Sequence, residues 1–275
     1  MGSTVHTIAG TTQKAVNILG LPVNPLTMEQ LLALVDRCIE SREQILLGVV
    51  NAAKIVNARK DARLRQSLEE ADLILADGAP IVWLSKLINS PLPERVAGID
   101  IMYRILERAS DRKYGIYLLG AKVEVLEKAA ERIRNDYPGA RIAGYKHGYF
   151  EDSDGETVAR DIRESHADVL FVAMSSPKKE NFLRKWRALM GVPVCHGVGG
   201  SFDILAGVTK RAPVWMQKCG LEWFYRFIQE PERMWKRYLV TNAIFIKLCT
   251  VEIAKAQFSR LRRKWRRGDT TNAGA

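Results

Sequence analysis

Apolar residues recur along this chain at two periods, and the two alternate. Between Met28 and Glu40, the residues Leu31, Leu32, Leu34, Val35 and Ile39 fall along one side of a 3.6-residue turn, which predicts an amphipathic helix. The next run, Ile45–Val50, is short and continuously apolar, the pattern of a strand buried on both faces. Leu73–Leu75, Tyr114–Leu119, Arg141–Tyr145, Val169–Ala173 and Pro193–His196 read as further strands. Helical spacing fills the intervals at Ile99–Ser110, Val123–Tyr137, Thr157–Ser165 and Lys178–Leu189, with Pro138-Gly139 as a stop signal. Strands alternating with helices predict an α/β fold, a parallel or mixed sheet with helices on both faces. Ligands of such sheets bind beyond the carboxyl ends of the strands. The residues to weigh are therefore Asn51, Asp77-Gly78, Gly120, His147 to Phe150, Ser175 to Glu180 and Gly197 to Asp203.

Composition narrows the class. Of 275 residues, 47% are hydrophobic and 27% charged, which excludes disordered and collagen-like chains. Cys38, Cys195, Cys219 and Cys249 lie far apart, with no zinc spacing, so neither a disulfide scaffold nor a metal site is expected and a reducing compartment is. The opening MGSTVHTIAGTTQ lacks the charged and apolar regions of a signal peptide, and no apolar stretch is long enough to span a bilayer.

Charge changes the picture more. Residues 1–209 hold 27 Lys+Arg against 26 Asp+Glu, whereas residues 210–267 hold 15 against 4. That basic segment also carries ten of the 22 aromatic residues. The shift divides the chain into an α/β core, 1–209, and a basic amphipathic appendage, 210–275. Basic and aromatic together fit an anionic surface: a nucleic acid, or a membrane with anionic lipid.

Several residues could carry chemistry. Asp77 either caps a helix opened by Pro80 or presents a carboxylate to the cleft, where it can take a proton from an acceptor hydroxyl. Gly120 ends a strand before a helix, but the turn LLGAKVEV lacks both the GxGxxG and the GxxxxGK[ST] patterns, which disfavours a nicotinamide oxidoreductase or a glycine-loop ATP site. Gly197 to Asp203 is a second glycine-rich turn, suited either to tight packing or to close approach of a ligand. Asp152-Ser153-Asp154 spells DxD, but its setting, EDSDGE, is that of a solvated loop. Arg226, Arg233 and Arg237 have helical spacing and could present guanidiniums to a diphosphate; the cluster from Arg260 to Arg267 suits a membrane interface.

Taken in order, a set of motifs resembles the WecG/TagA/CpsF glycosyltransferases. They are Asp77-Gly78-Ala79-Pro80, Arg95-Val96-Ala97-Gly98-Ile99-Asp100, Leu118-Leu119-Gly120, His147-Gly148-Tyr149-Phe150, Pro177-Lys178-Lys179-Glu180, Gly197 to Asp203, Lys210-Arg211-Ala212-Pro213, Leu221 to Arg226 and Glu230 to Arg233. The resemblance spans roughly residues 45–240. It implies a Rossmann-like core with a helical C-terminal appendage that completes the active site and touches the membrane. It implies inverting transfer of a sugar from a UDP-sugar to a polyprenyl-diphosphate-linked acceptor at the inner face of the cell membrane. No metal, no cofactor and no nucleic acid are expected; self-association is left open. By motif, Asp77 corresponds to the family's base, Asn51 and Arg95 to polar pocket residues, and Tyr149 to the nucleotide-binding HGYF run. Gly120, Lys179 and Asp203 fall in the other substrate-binding motifs, and Arg226, Arg233 and Lys236 at the positions thought to reach the diphosphate. Two residues depart from the pattern: Val49 stands where the family commonly has Thr, and Lys179 where it has Gln. Lysine cannot accept a hydrogen bond, so a charge replaces a polar contact.

Overall fold

The computed structural model describes the backbone of residues 5–8, 11–229 and 231–268, and the side chains of 14–217, 219–225, 227–229, 231–232 and 240–258. Two short antiparallel pairs come first: β1 (Val5–Ile8) with β2 (Thr11–Lys14), and β3 (Val16–Ile18) with β4 (Leu21–Val23). Helix α1 (Met28–Ser41) begins at a capping box. Thr27 Oγ1 accepts from Gln30 N–H, and Gln30 Oε1 accepts from Thr27 N–H, so two free donors of the helix end are satisfied. Its buried stripe contains the leucines and valine picked out by the periodicity.

The body is one six-stranded parallel sheet. Along the chain run β5 (Ile45–Val50), α2 (Ala52–Ala58), α3 (Ala62–Glu69), β6 (Leu73–Ala76), α4 (Ala79–Leu87), α5 (Gly98–Arg112), β7 (Gly115–Gly120), α6 (Val123–Asp136), β8 (Arg141–Lys146), α7 (Gly155–Glu164), β9 (Val169–Ala173), α8 (Lys178–Met190), β10 (Val194–Gly197) and α9 (Ser201–Leu205). In space the order is β6-β5-β10-β9-β7-β8, with every neighbouring pair parallel. Alternate strand residues enter two cores. Ile45, Leu47 and Val49 of β5 meet α1 and α5, while Leu46 and Val50 meet α2, α3 and α4.

That alternation locates the cleft. The helix following β5 lies on one face and the helix following β10 on the other, as α2 contributes Ile55 and Val56 to the second core and α9 contributes Phe202 and Leu205 to the first. Where neighbouring strands send their chains to opposite faces, a crevice opens beyond the carboxyl ends. The same reversal occurs between β10 and β9 and between β9 and β7.

Past the sheet come α10 (Val214–Lys218), α11 (Glu222–Gln229) and α12 (Pro231–Gly268). Helix α12 packs along α2 and reaches α4, with Phe245 buried in the second core beside Ile244, Leu248, Cys249 and Ile253. Its 38 residues span about 57 Å. Among the described residues, no helix is both long and apolar enough to cross a membrane.

Candidate active site

Asn51 and Asp77 stand at the carboxyl ends of adjacent strands. Asn51 begins α2: its Oδ1 accepts from Lys54 N–H at 3.0 Å, and its Nδ2 faces Asp77 Oδ2 at 3.4 Å. Of the two sequence readings for Asp77, the structure removes the cap. Gly78 is the N-cap of α4, without a side-chain hydrogen bond, and the Asp77 carboxylate turns instead to a different helix. Gly98 N–H, the first of α5, donates to Asp77 Oδ1 at 3.2 Å. The loop that brings Gly98 there is tied to the sheet by Val96 N–H donating to Ala76 O at 2.9 Å. Beneath it lies His196 on β10, fully buried, with Nε2 2.9 Å from Gly98 O and Nδ1 3.4 Å from Leu47 O.

Burial pushes the Asp77 carboxyl above the ordinary carboxylate range, and the Glu222 carboxylate pushes it further; Arg95, Gly98 N–H and Asn51 oppose the rise without cancelling it. A raised carboxyl holds its proton more firmly and is correspondingly a better base once ionised. His196 moves the other way: burial pushes it down to about 4, because the charged ring cannot be solvated there.

Over Asp77 sits a ring of four charges. Arg95 Nη2 pairs with Asp100 at 3.1 Å and its Nη1 with Glu222 at 2.7 Å; Arg211 pairs with the same two carboxylates at 2.6 and 3.3 Å. The ring joins α5, α11 and the turn before α10. The motifs containing Asp100, Arg211 and Glu222 were noted in the sequence, yet nothing local linked the three residues. Arg95 and Glu222 meet across a separation of 127 residues.

Lys179 is buried on α8, its Nζ 3.5 Å from Glu180 Oε1, an oxygen that Lys54 Nζ reaches at 3.4 Å. Burial, and then Lys54, push Lys179 down to about 8. Burial alone would raise Glu180, but the two ammonium groups outweigh it and hold the carboxyl below its ordinary value. The Lys179 stem lies so close to the end of β10 that a Cβ on Gly197 would come within 2.7 Å of it.

The remaining sequence candidates are dispersed. Gly120 closes β7 at φ +120°, where a Cβ would lie 2.5 Å from the Ala173 backbone, so its position is set by strand packing. Tyr149 is 69% exposed, and its N–H donates to His147 Nδ1. Asp203 is half-buried in α9, where its carbonyl accepts from Val208 and Thr209 N–H. The side chains of Arg226, Arg233 and Lys236, and those of the cluster from Arg260 to Arg267, lie outside the described residues. Asp152 and Asp154 are exposed in a single 3-10 turn. Among the described residues, no three His, Cys, Asp or Glu side chains converge as metal ligands do.

Asn51, Asp77, Arg95, Arg211 and Glu222 open on one cavity of about 630 Å³. Gly197, Val198, Gly200 and Ser201 line one part of it, and apolar side chains of α4, α11 and α12 line another. Gly220, at φ +69°, lets the turn before α11 approach to where a Cβ would lie 3.1 Å from Ala79 and 3.2 Å from the Trp83 ring.

These features define a doubly wound α/β protein whose switch-point crevice carries a buried carboxylate beside a ring of two arginines and two further carboxylates. The chain belongs to the glycosyl transferase WecG/TagA/CpsF family, whose model matches residues 16–259, and it is a glycosyltransferase. It is 39% identical over 201 residues to an N-acetylglucosaminyldiphosphoundecaprenol N-acetyl-beta-D-mannosaminyltransferase of Bacillus subtilis (strain 168), covering 73% of this chain and 77% of that one. A protein of the same name from Bacillus spizizenii (strain ATCC 23059 / NRRL B-14472 / W23) is 41% identical over 182 residues, 66% of this chain and 70% of its own.

Proposed function

We propose that this protein transfers an N-acetylhexosamine from a UDP-sugar, with inversion and without a metal, to an N-acetylglucosamine carried on a polyprenyl diphosphate. The observation that carries the reading is Asp77, raised in basicity at the floor of the crevice and hydrogen-bonded to Gly98 N–H beneath the arginine pair. Asp77 takes the proton of the acceptor hydroxyl as its oxygen bonds to the anomeric carbon. The bond from that carbon to the UDP oxygen breaks on the opposite side, which inverts the centre. Negative charge gathers on the departing diphosphate, and arginines stabilise it without an intervening cation. The names of the two Bacillus relatives support the acceptor and make N-acetylmannosamine the first donor sugar to test. The basic, aromatic segment 210–275 then serves as an appendage to the catalytic core 1–209 and brings it to the inner surface of the cell membrane.

The test is release of UDP from UDP-N-acetylmannosamine in the presence of N-acetylglucosaminyl diphosphopolyprenol. Release that depends on the acceptor and persists in EDTA is expected. Activity lost in EDTA and restored by Mg²⁺ or Mn²⁺ overturns the metal-free step; no release with any UDP-sugar overturns the donor class.

A further inference from the structure

Two carboxylates and two guanidiniums alternate around the ring near Asp77, so the ring carries no net charge. Each arginine gives two nitrogens to it: Arg95 its Nη1 and Nη2, Arg211 its Nε and Nη2. The four side chains are half-buried, and ion pairs at that depth are screened much less than fully exposed ones. The positions of its members in the chain decide what the ring can do. Arg95 and Asp100 flank Gly98, whose N–H donates to Asp77 Oδ1 at 3.2 Å. They also pair with each other at 3.1 Å, which closes that loop on itself. The other two members come from the C-terminal segment. Glu222 holds the Arg95 end at 2.7 Å, and Arg211 holds the Asp100 end at 2.6 Å. We propose that Glu222 and Arg211 are positioning residues for Asp77: they clamp the 95–100 loop so that Gly98 N–H stays on the carboxylate. This proposal rests on the reading of Asp77 as the base and adds what holds that base in place.

Three observations support it. The Asp77 carboxylate has its hydrogen bonds, among the described residues, with Asn51 and Gly98, so Glu222 acts on it through the loop and through charge. That charge reaches the base: after burial, Glu222 is the strongest influence raising the Asp77 carboxyl, ahead of the opposing Arg95. Finally, the ring satisfies its own members. Both guanidiniums already face two carboxylates, which fits a clamp better than a pair of cations waiting for an anion. The remaining charged or titratable groups around the base sit on other elements. Lys179 on α8 is one, and the Asp77 carboxylate helps to keep it protonated; Lys54 on α2 stands beside it, and the His196 ring on β10 lies beneath Gly98. None of these belongs to the ring, so a change at Glu222 leaves them in place.

Glu222→Gln keeps the size of the side chain and removes its charge, whereas Glu222→Asp keeps the charge and shortens the reach. The carboxyl carbon of Asp77 is followed by NMR across a pH series, its signal assigned by its absence in Asp77→Asn. Steady-state kcat and KM are measured with UDP-N-acetylmannosamine and N-acetylglucosaminyl diphosphopolyprenol, and circular dichroism checks that the fold is kept. In Glu222→Gln the Asp77 midpoint should move to lower pH, because a negative neighbour has gone. Its kcat should fall at least about tenfold while KM changes less than about twofold, the pattern of a misplaced base with binding intact. In Glu222→Asp the midpoint should stay nearer the wild type, and kcat should fall by a smaller factor. An Asp77 midpoint equal in wild type and Glu222→Gln overturns the proposal. A lower KM at unchanged kcat overturns it too, by making Glu222 a group that keeps anions off the arginines. So does a lower thermal midpoint with kcat unmoved, which leaves the ring a structural brace. If Glu222→Gln does not fold, Glu222→Asp decides, and a wild-type kcat there overturns the proposal. The titration of Asp77 needs no substrate, so the two readings fail separately. Turnover retained by Asp77→Asn, with the midpoint moving as expected, refutes the base reading alone. Loss of turnover in Asp77→Asn, with Glu222→Gln behaving as the wild type, refutes this proposal alone.

Discussion

Mild acid should destabilise this protein through His196 before most carboxylates are protonated. The ring is fully buried on β10, with Nε2 2.9 Å from Gly98 O and Nδ1 3.4 Å from Leu47 O. The neutral tautomer that donates from Nε2 satisfies the shorter contact. Burial holds the folded group at about 4 against an ordinary 6.5, so the unfolded chain binds the proton more tightly. The sign follows: stability is fully present above pH 6.5 and is lost as the pH falls toward the folded value. A difference of this size is worth about 2 kcal/mol between pH 7 and pH 5, approaching about 3 kcal/mol near pH 4. His196→Gln keeps an amide donor near the Nε2 position and cannot titrate. Urea unfolding at pH 7, 6 and 5 should therefore show the wild type losing about 2 kcal/mol more than the variant. Parallel curves for the two proteins would refute the argument.

Other substitutions test the remaining parts. Asp77→Asn should lower turnover at least about a hundredfold while leaving UDP binding measurable by calorimetry. Its thermal midpoint should rise relative to the wild type as the pH climbs above the ordinary carboxylate range, because the wild-type carboxylate is ionised against burial and Glu222. Lys179→Gln should abolish a gain in wild-type stability of about 2 kcal/mol between pH 8 and pH 10, since the folded ammonium loses its proton at about 8 and the unfolded one at 10.5; chemical denaturation across that interval decides it. Phe245→Ala empties the contact of α12 with the core and should cost about 3–5 kcal/mol by calorimetry, with limited proteolysis cutting first in α12.

The sheet was legible because five of its six strands are buried on both faces, the edge strand β8 being the exception. Ile45–Val50 and Val169–Ala173 read as apolar runs, and helices such as α1, α5 and α6 are long enough for a 3.6-residue period to repeat. Helices α2 and α3, with 7 and 8 residues, complete barely two turns, and the three-residue strands β3 and β4 offer no period at all. Yet Asn51 carried a usable signal: an Asn placed directly before Ala52 and Ala53 is an N-cap by type, and that role orients its amide toward Asp77.

The site divides along a similar line, set by how far each contact reaches along the chain. Strand ends are local features, so Asn51, Asp77 and the turn from Gly197 could be named from their positions. The partners that tune them are not local. Asp77 could be suspected of capping α4 because Pro80 lies next door; its real donor, Gly98, comes from 21 residues away and is held there by a histidine a further 98 residues on. His196 gave no local signal for the same reason, since both carbonyls that face its ring, Gly98 O and Leu47 O, lie far along the chain. Glu222 is the sharpest case. In the sequence it is one acidic residue in a basic, aromatic segment, where the excess of positive charge suggested only an external anion. In the fold it pairs with Arg95 of the core and Arg211 of its own segment, and its charge reaches Asp77. The net charge of a segment therefore says little about which of its cations remain free to meet a ligand. Arg211 belongs to that basic segment by composition and to the Asp100–Glu222 pair by geometry, and any anion entering the crevice must compete with those two carboxylates for it.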